Sequence, residues 1–180
     1  EQEYFKNALA SLAHISVREE KLALAVEKLT GKEVTTVVDP TLLLEKADYE
    51  DLLYRDRIVK EKYIFAYYVV ENEMLSKCAQ RAAEAYGYRL IELHYKKTPK
   101  IKGENMIFDA GPSEFLTYIR DAELVLTNSF HGTVFSVLFQ KLFYSVYKEN
   151  GRITNLLTFL NLERRHIETD AKMDFKDKID

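Results

Sequence analysis

Apolar runs of strand length alternate along this chain with amphipathic stretches of helix length, and that rhythm predicts an α/β fold, a Rossmann-like parallel sheet with flanking helices. Two further observations point the same way. Tyr63 to Val70 is nearly continuous in apolar residues, as in a central parallel strand covered on both faces. Two helix-like stretches run up to glycines, Gly31 and Gly87, the residue that most readily ends a helix in a left-handed conformation.

Taken in order, Tyr4 to Leu12 reads as the end of a helix, Ile15 to Val17 as a short strand, Glu19 to Leu29 as a helix and Val34 to Val38 as a strand. Asp39-Pro40 ends that strand, because proline cannot donate to a ladder and forces its predecessor into extended backbone. A boundary is expected there, with residues 1–44 closing one Rossmann-like domain and 45–180 forming a second. Leu44 to Lys62 is charged and helix-compatible. The second domain then opens on the Tyr63 strand and continues with a helix from Glu73 to Tyr86 and a strand from Arg89 to Leu93. His94 to Glu104 reads as a basic loop punctuated by Pro99 and Gly103, and Met106 to Phe108 as a short strand. Ser113 is placed to cap a helix over Glu114 to Ala122. Leu124 to Thr127 is a buried strand, Thr133 to Phe139 an apolar helix, Leu142 to Val146 a strand and Ile153 to Leu160 a helix. The polar stretch from Asp170 is expected to be loose or amphipathic.

Composition narrows the function. The chain has 180 residues, 47% hydrophobic and 31% charged, which is the make-up of a folding globular protein rather than a disordered tail. Its net charge of −3 lacks the positive balance that drives nucleic-acid binding, so no nucleic-acid partner is expected. One cysteine, Cys78, excludes an internal disulfide and fits a reducing compartment. No apolar run is long enough to span a bilayer, and the start at Glu1, with neither initiator Met nor signal peptide, is expected to lie partway through a longer protein. No HxxxH or Cys-His spacing suggests a metal, and no G-x-G-x-x-G or Walker pattern is present, so no metal and no cofactor are expected.

In open parallel sheets, ligands bind at the carboxyl ends of strands, where helix N-termini present unpaired N–H groups. That rule selects Thr127-Asn128-Ser129-Phe130-His131-Gly132-Thr133, which joins a strand to a helix and supplies an imidazole, hydrogen-bonding side chains and a glycine. Gly132 permits close backbone approach, while Ser129 and Thr133 either cap the helix or donate to a bound oxyanion. His131 either serves the site or packs under a loop. Arg18 follows the Ile15 strand, where its guanidinium either pairs at the surface with Glu19 or Glu20 or holds a carboxylate or phosphate. Asp39 makes an Asx turn, or bonds to substrate or to Arg18. Arg152, just after Gly151, is either simply exposed at the surface or, opposing the dipole of the last helix, offset by a bound anion. The basic loop from His94 is either solvated or meets an anionic acceptor or, peripherally, membrane headgroups. The Tyr63 to Tyr68 strand reads as core packing.

These residues resemble the polysaccharide pyruvyl transferase family over nearly the whole chain. The strongest match is Ala122-Glu123-Leu124-Val125-Leu126-Thr127-Asn128-Ser129-Phe130-His131-Gly132-Thr133, similar to that family's strand-to-helix signature ending in Phe-His-Gly or Leu-His-Gly. Ile15 to Glu19, Val38 to Leu44, Gly111 to Leu116 and Arg152 to Leu157 support it in order. The resemblance implies a GT-B-like pair of Rossmann-type domains facing a cleft. It implies phosphoenolpyruvate as donor co-substrate, a sugar of a polysaccharide or lipid-linked glycan precursor as acceptor, and a ketal product. It further implies His131 and Arg18 as the catalytic pair, with Asn128, Ser129, Phe130, Gly132, Thr133, Arg152 and Asp39 binding substrate. The setting implied is cytoplasmic, at the inner face of the membrane where the acceptor is lipid-linked. Some members carry arginine where this chain has Ser129. A GT-B glycosyltransferase using a sugar nucleotide and a non-catalytic glycan-binding remnant are the alternatives.

Overall fold

The computed structural model describes residues 2–96 and 105–169, and within it the chain divides into two units, Glu1–Leu44 and Glu45–Asp180. In the first, α1 (Gln2–Ala10) and α2 (Glu20–Thr30) accompany two short parallel strands, β1 (Ser16–Val17) and β2 (Thr35–Thr36), paired Ser16 to Thr35 and Val17 to Thr36. α2 buries Ala23 and Val26 against Ile15 and Val34. It stops where expected, at Gly31, whose φ of 71° places it in the left-handed region. The strand expected over Val34 to Val38 shortens to two residues because Val37 and Val38 are exposed and Pro40 opens a 3-10 turn, Pro40–Leu43, right after it.

The second unit is built on β3 (Tyr63–Tyr68), whose side chains alternate between two cores. Tyr63 and Phe65 join Ile91, Val125 and Phe135 on one face, while Ile64, Ala66 and Tyr68 join Leu75, Cys78 and Leu126 on the other. This two-sided burial is why the strand reads as an unbroken apolar run. Among the described residues six strands form one parallel sheet in the order β5-β4-β3-β6-β7-β8, with β4 (Arg89–His94), β5 (Met106–Ile107), β6 (Leu124–Thr127), β7 (Phe143–Val146) and β8 (His166–Ile167). α3 (Glu73–Tyr86) covers one face; α4 (Pro112–Asp121), α5 (Phe130–Leu138) and α6 (Gly151–Phe159) bury residues in the core of the other. The chain winds outward from β3 in one direction through β4 and β5, returns, and winds the other way from β6. The reversal makes a topological switch point between the carboxyl ends of β3 and β6, the place where such sheets bind ligands.

Four expectations are corrected. Leu44 to Lys62 holds only a 3-10 helix, Lys46–Leu52, since Tyr49 and Val59 are its buried residues and stand ten positions apart, with no apolar stripe to dock a longer helix. α4 takes Gly111 as N-cap with Pro112 at its first position, so Ser113 lies inside the helix. His94 ends β4 and is buried instead of opening a loop, whose residues 97–104 lie outside those described, as does the tail from Asp170. α5 starts at Phe130, three residues earlier than expected, because Ser129 caps it; His131 therefore sits in a helical first turn. The strand β8 has no counterpart in the sequence reading, as two residues carry no periodicity.

Candidate active site

The turn between β6 and α5 is held by its own polar side chains. Thr127 donates its hydroxyl to the Tyr67 carbonyl at 2.9 Å and accepts from the Ser129 amide at 3.0 Å. Asn128 reaches across to the end of β3, accepting from the Val69 amide at 2.9 Å and donating to the Val70 carbonyl at 2.7 Å, which ties the two strands together at the switch point. Ser129 accepts from the Gly132 amide at 3.2 Å, a cap of the kind that contributes about 1 kcal/mol. Thr133 is fully buried, donating to the Ser129 carbonyl at 3.0 Å and sharing a 2.8 Å hydrogen bond with Ser145 on β7. These hydroxyls and the Asn128 amide build the turn. Gly132 serves it too: a β-carbon there would stand 2.6 Å from Thr127 Oγ1, so the close approach it permits is of the helix to β6.

The groups left at the surface of this turn are few. His131 is exposed, its ring edge-on to half-buried Phe130 with centroids 5.4 Å apart. The guanidinium of Arg152, from the first turn of α6, lies 4.6 Å from the centroid of the Phe130 ring. Aromatic contact of this kind offsets part of the cost of a cation at a helix N-terminus. The fold thus gathers His131, Phe130 and Arg152 into one cluster at the carboxyl edge of the sheet.

His131 also borders a cavity of about 500 Å³, together with Tyr67, His94, Tyr95, Phe108 and Phe115 among others. Sequence reasoning missed Tyr67 and His94 as members of this wall. The last turns of β3 and β4 lie in register, Tyr67 beside Leu93 and Tyr68 beside His94, and this long-range pairing has no local signal. Burial pushes the Tyr67 phenol up, Tyr95 adds to the shift, and the hydrogen bond with Ser129 opposes it, so Tyr67 presents a neutral hydroxyl at neutral pH. A second hollow, about 700 Å³, lies across the switch point and is lined by Asn72, Lys77, Asn128, Lys148 and Asn150 among others.

Arg18 and Asp39 meet within the first unit. The Arg18 guanidinium pairs with the Asp39 carboxylate, whose residue is only 4% exposed, and that carboxylate also accepts from the Thr41 amide at 3.1 Å and the Thr41 hydroxyl at 2.7 Å. Both sequence alternatives for Asp39 that involve protein groups, the turn and the Arg18 bond, therefore hold together. Burial raises the Asp39 carboxyl, but the Thr41 hydrogen bonds and then Arg18 outweigh it and hold it below the ordinary carboxylate value. The stability this contributes is complete above the unfolded value of about 3.9 and is lost as pH falls through the lower folded value. Asp39→Asn is expected to flatten the acid limb of stability, read as urea midpoint against pH; curves that stay parallel to wild type would show that Asp39 carries no such linkage.

Among the described residues no cluster of three or more His, Cys, Asp or Glu side chains is arranged to hold a metal, and no helix is long and apolar enough to cross a membrane. A family model described as polysaccharide pyruvyl transferase matches residues 1–148. The chain belongs to the polysaccharide pyruvyl transferase family. It is accordingly an enzyme, a pyruvyl transferase with a polysaccharide or other glycan as acceptor. The matched span contains Arg18, Asp39 and the β6–α5 turn with His131, and stops before Arg152 and α6 of this pyruvyl transferase. Comparison with individual curated proteins finds no match.

Proposed function

We propose that this pyruvyl transferase takes its pyruvyl group from phosphoenolpyruvate and places it on two hydroxyls of a sugar, in a polysaccharide or lipid-linked precursor, as a ketal. The observation that carries the reading is the exposed imidazole of His131 on the first turn of α5, beside the switch point and on the wall of a 500 Å³ cavity. Helix N-termini attract anions, and the Arg152 guanidinium close by adds positive charge at the same edge. A phosphorylated carboxylic acid suits that field. Arg152 would supply the cation that other family members bring where this chain has Ser129, a residue here committed to capping.

The chemistry requires proton transfer. Protonation of the enol carbon leaves a cationic centre on its neighbour, which a sugar hydroxyl attacks while losing its proton; phosphate departs, and a second hydroxyl closes the ketal as its proton leaves. His131 is the group proposed to carry one of these protons.

The first test needs no acceptor. Phosphoenolpyruvate at one hundred times its Kd should raise the stability of the intact protein by about 2.7 kcal/mol, seen as a thermal shift, while sugar nucleotides leave the midpoint unmoved. A shift with a sugar nucleotide alone would favour a glycosyltransferase, and pyruvyl transfer from phosphoenolpyruvate would be withdrawn.

A further inference from the structure

His94 is a buried polar group of the same cavity that no step above uses. Its residue is 3% exposed, its ring stacks on Tyr68 with centroids 4.3 Å apart and planes 5° from parallel, and Phe108 stacks against it at 5.6 Å. Nδ1 lies 3.0 Å from Oε1 of Glu71. A carboxylate only accepts, so Nδ1 carries the hydrogen, and in the neutral ring Nε2 then presents a lone pair. Nε2 is buried and has no hydrogen-bond partner among the described residues. Native proteins leave few buried polar atoms in that condition, because each one sacrifices its hydration without replacement. Held by two aromatic faces and a carboxylate, this ring cannot turn to relieve the loss.

What would satisfy Nε2 is a hydrogen-bond donor. Sulfate, ionised phosphate-ester and carboxylate oxygens are acceptors and leave a lone pair unmatched, whereas a sugar hydroxyl can donate. The wall around His94 is aromatic, with Tyr95, Phe108 and Phe115, and Tyr95 is 64% exposed. Apolar rings with a few oriented polar groups are the composition of a small-ligand site, and the C–H face of a pyranose packs on such rings while its hydroxyls reach the polar groups. We infer that the His94 end of the cavity is the subsite of the acceptor saccharide, with one sugar hydroxyl donating to Nε2 and Glu71 fixing the imidazole to receive it. The inference rests on the pyruvyl-transfer reading only in calling that sugar the acceptor.

Long-range proton–nitrogen NMR correlations of the imidazoles in the intact, nitrogen-15-labelled protein test this without turnover. Methyl glucopyranoside, galactopyranoside and mannopyranoside are titrated in turn, then sulfate, an anion with no hydrogen to donate. His94 should show the Nδ1–H form in the free protein, and at least one pyranoside should move its Nε2 resonance in the direction of a hydrogen-bonded nitrogen, with sulfate leaving it in place. His94→Gln should weaken that pyranoside by about tenfold, the worth of one net hydrogen bond, and Glu71→Ala should weaken it while mixing the tautomers of a folded protein. A His94 signal that answers to sulfate, or to none of the sugars, overturns the inference. The two readings fail separately: turnover of phosphoenolpyruvate with a silent His94 removes the subsite, and a responsive His94 without turnover removes the donor.

Discussion

His131→Ala is expected to lower turnover of phosphoenolpyruvate in the presence of a sugar acceptor by about 10²- to 10⁴-fold, the range typical of losing a positioned proton carrier. Because His131 is exposed, the same change should move stability by no more than about 0.5 kcal/mol. The pairing of a large kinetic effect with a negligible structural one separates a chemical role from a packing role. His131→Gln, which keeps a polar side chain of similar reach but cannot hold a proton at neutral pH, should be as inactive. Turnover retained in either variant, measured at saturating substrates with the fold checked by circular dichroism, would remove His131 from the proton path.

Gly132→Ala should destabilise the second unit and carry activity down with it. In a helix, alanine is ordinarily better than glycine by up to about 1 kcal/mol, so propensity alone predicts a gain. The new β-carbon, however, would stand 2.6 Å from Thr127 Oγ1 and 3.0 Å from Thr127 Cγ2. Thr127 cannot easily give way, since it is fully buried and its hydroxyl holds both the Tyr67 carbonyl and the Ser129 amide. Overpacking of this kind costs about 1–3 kcal/mol, which exceeds the propensity gain. A double-mutant cycle with Thr127→Ala isolates the clash: the pair should cost less than the sum of the singles, because the shortened side chain makes room. A Gly132→Ala protein as stable as wild type in urea would show that α5 is not seated on Thr127 in this way.

Much of the frame was legible because its signals are local. α3 and its stop at Gly87 follow from a 3.6-residue apolar stripe ended by the one residue that adopts a φ of 65° without strain. β3 was recognisable as central because both of its faces are apolar. The turn carrying His131 was recognisable because a buried strand meets a helix there. The start of α5 was misjudged by three residues, since whether Ser129 caps depends on where its hydroxyl points.

By itself, then, the sequence determined the α/β class, the order of the strands other than β8 and of the helices, and the presence of an imidazole at the mouth of the sheet, all properties of neighbours along the chain. Only the tertiary structure decided what each polar residue is for. It committed Asn128, Ser129 and Thr133 to building the turn, left His131 at its surface, joined Arg18 to Asp39 across 21 positions, and brought His94 and Tyr67 to one cavity wall. Those assignments follow from strand register and from which donors find buried acceptors, and parallel strands acquire their register through crossovers that separate partners by tens of residues.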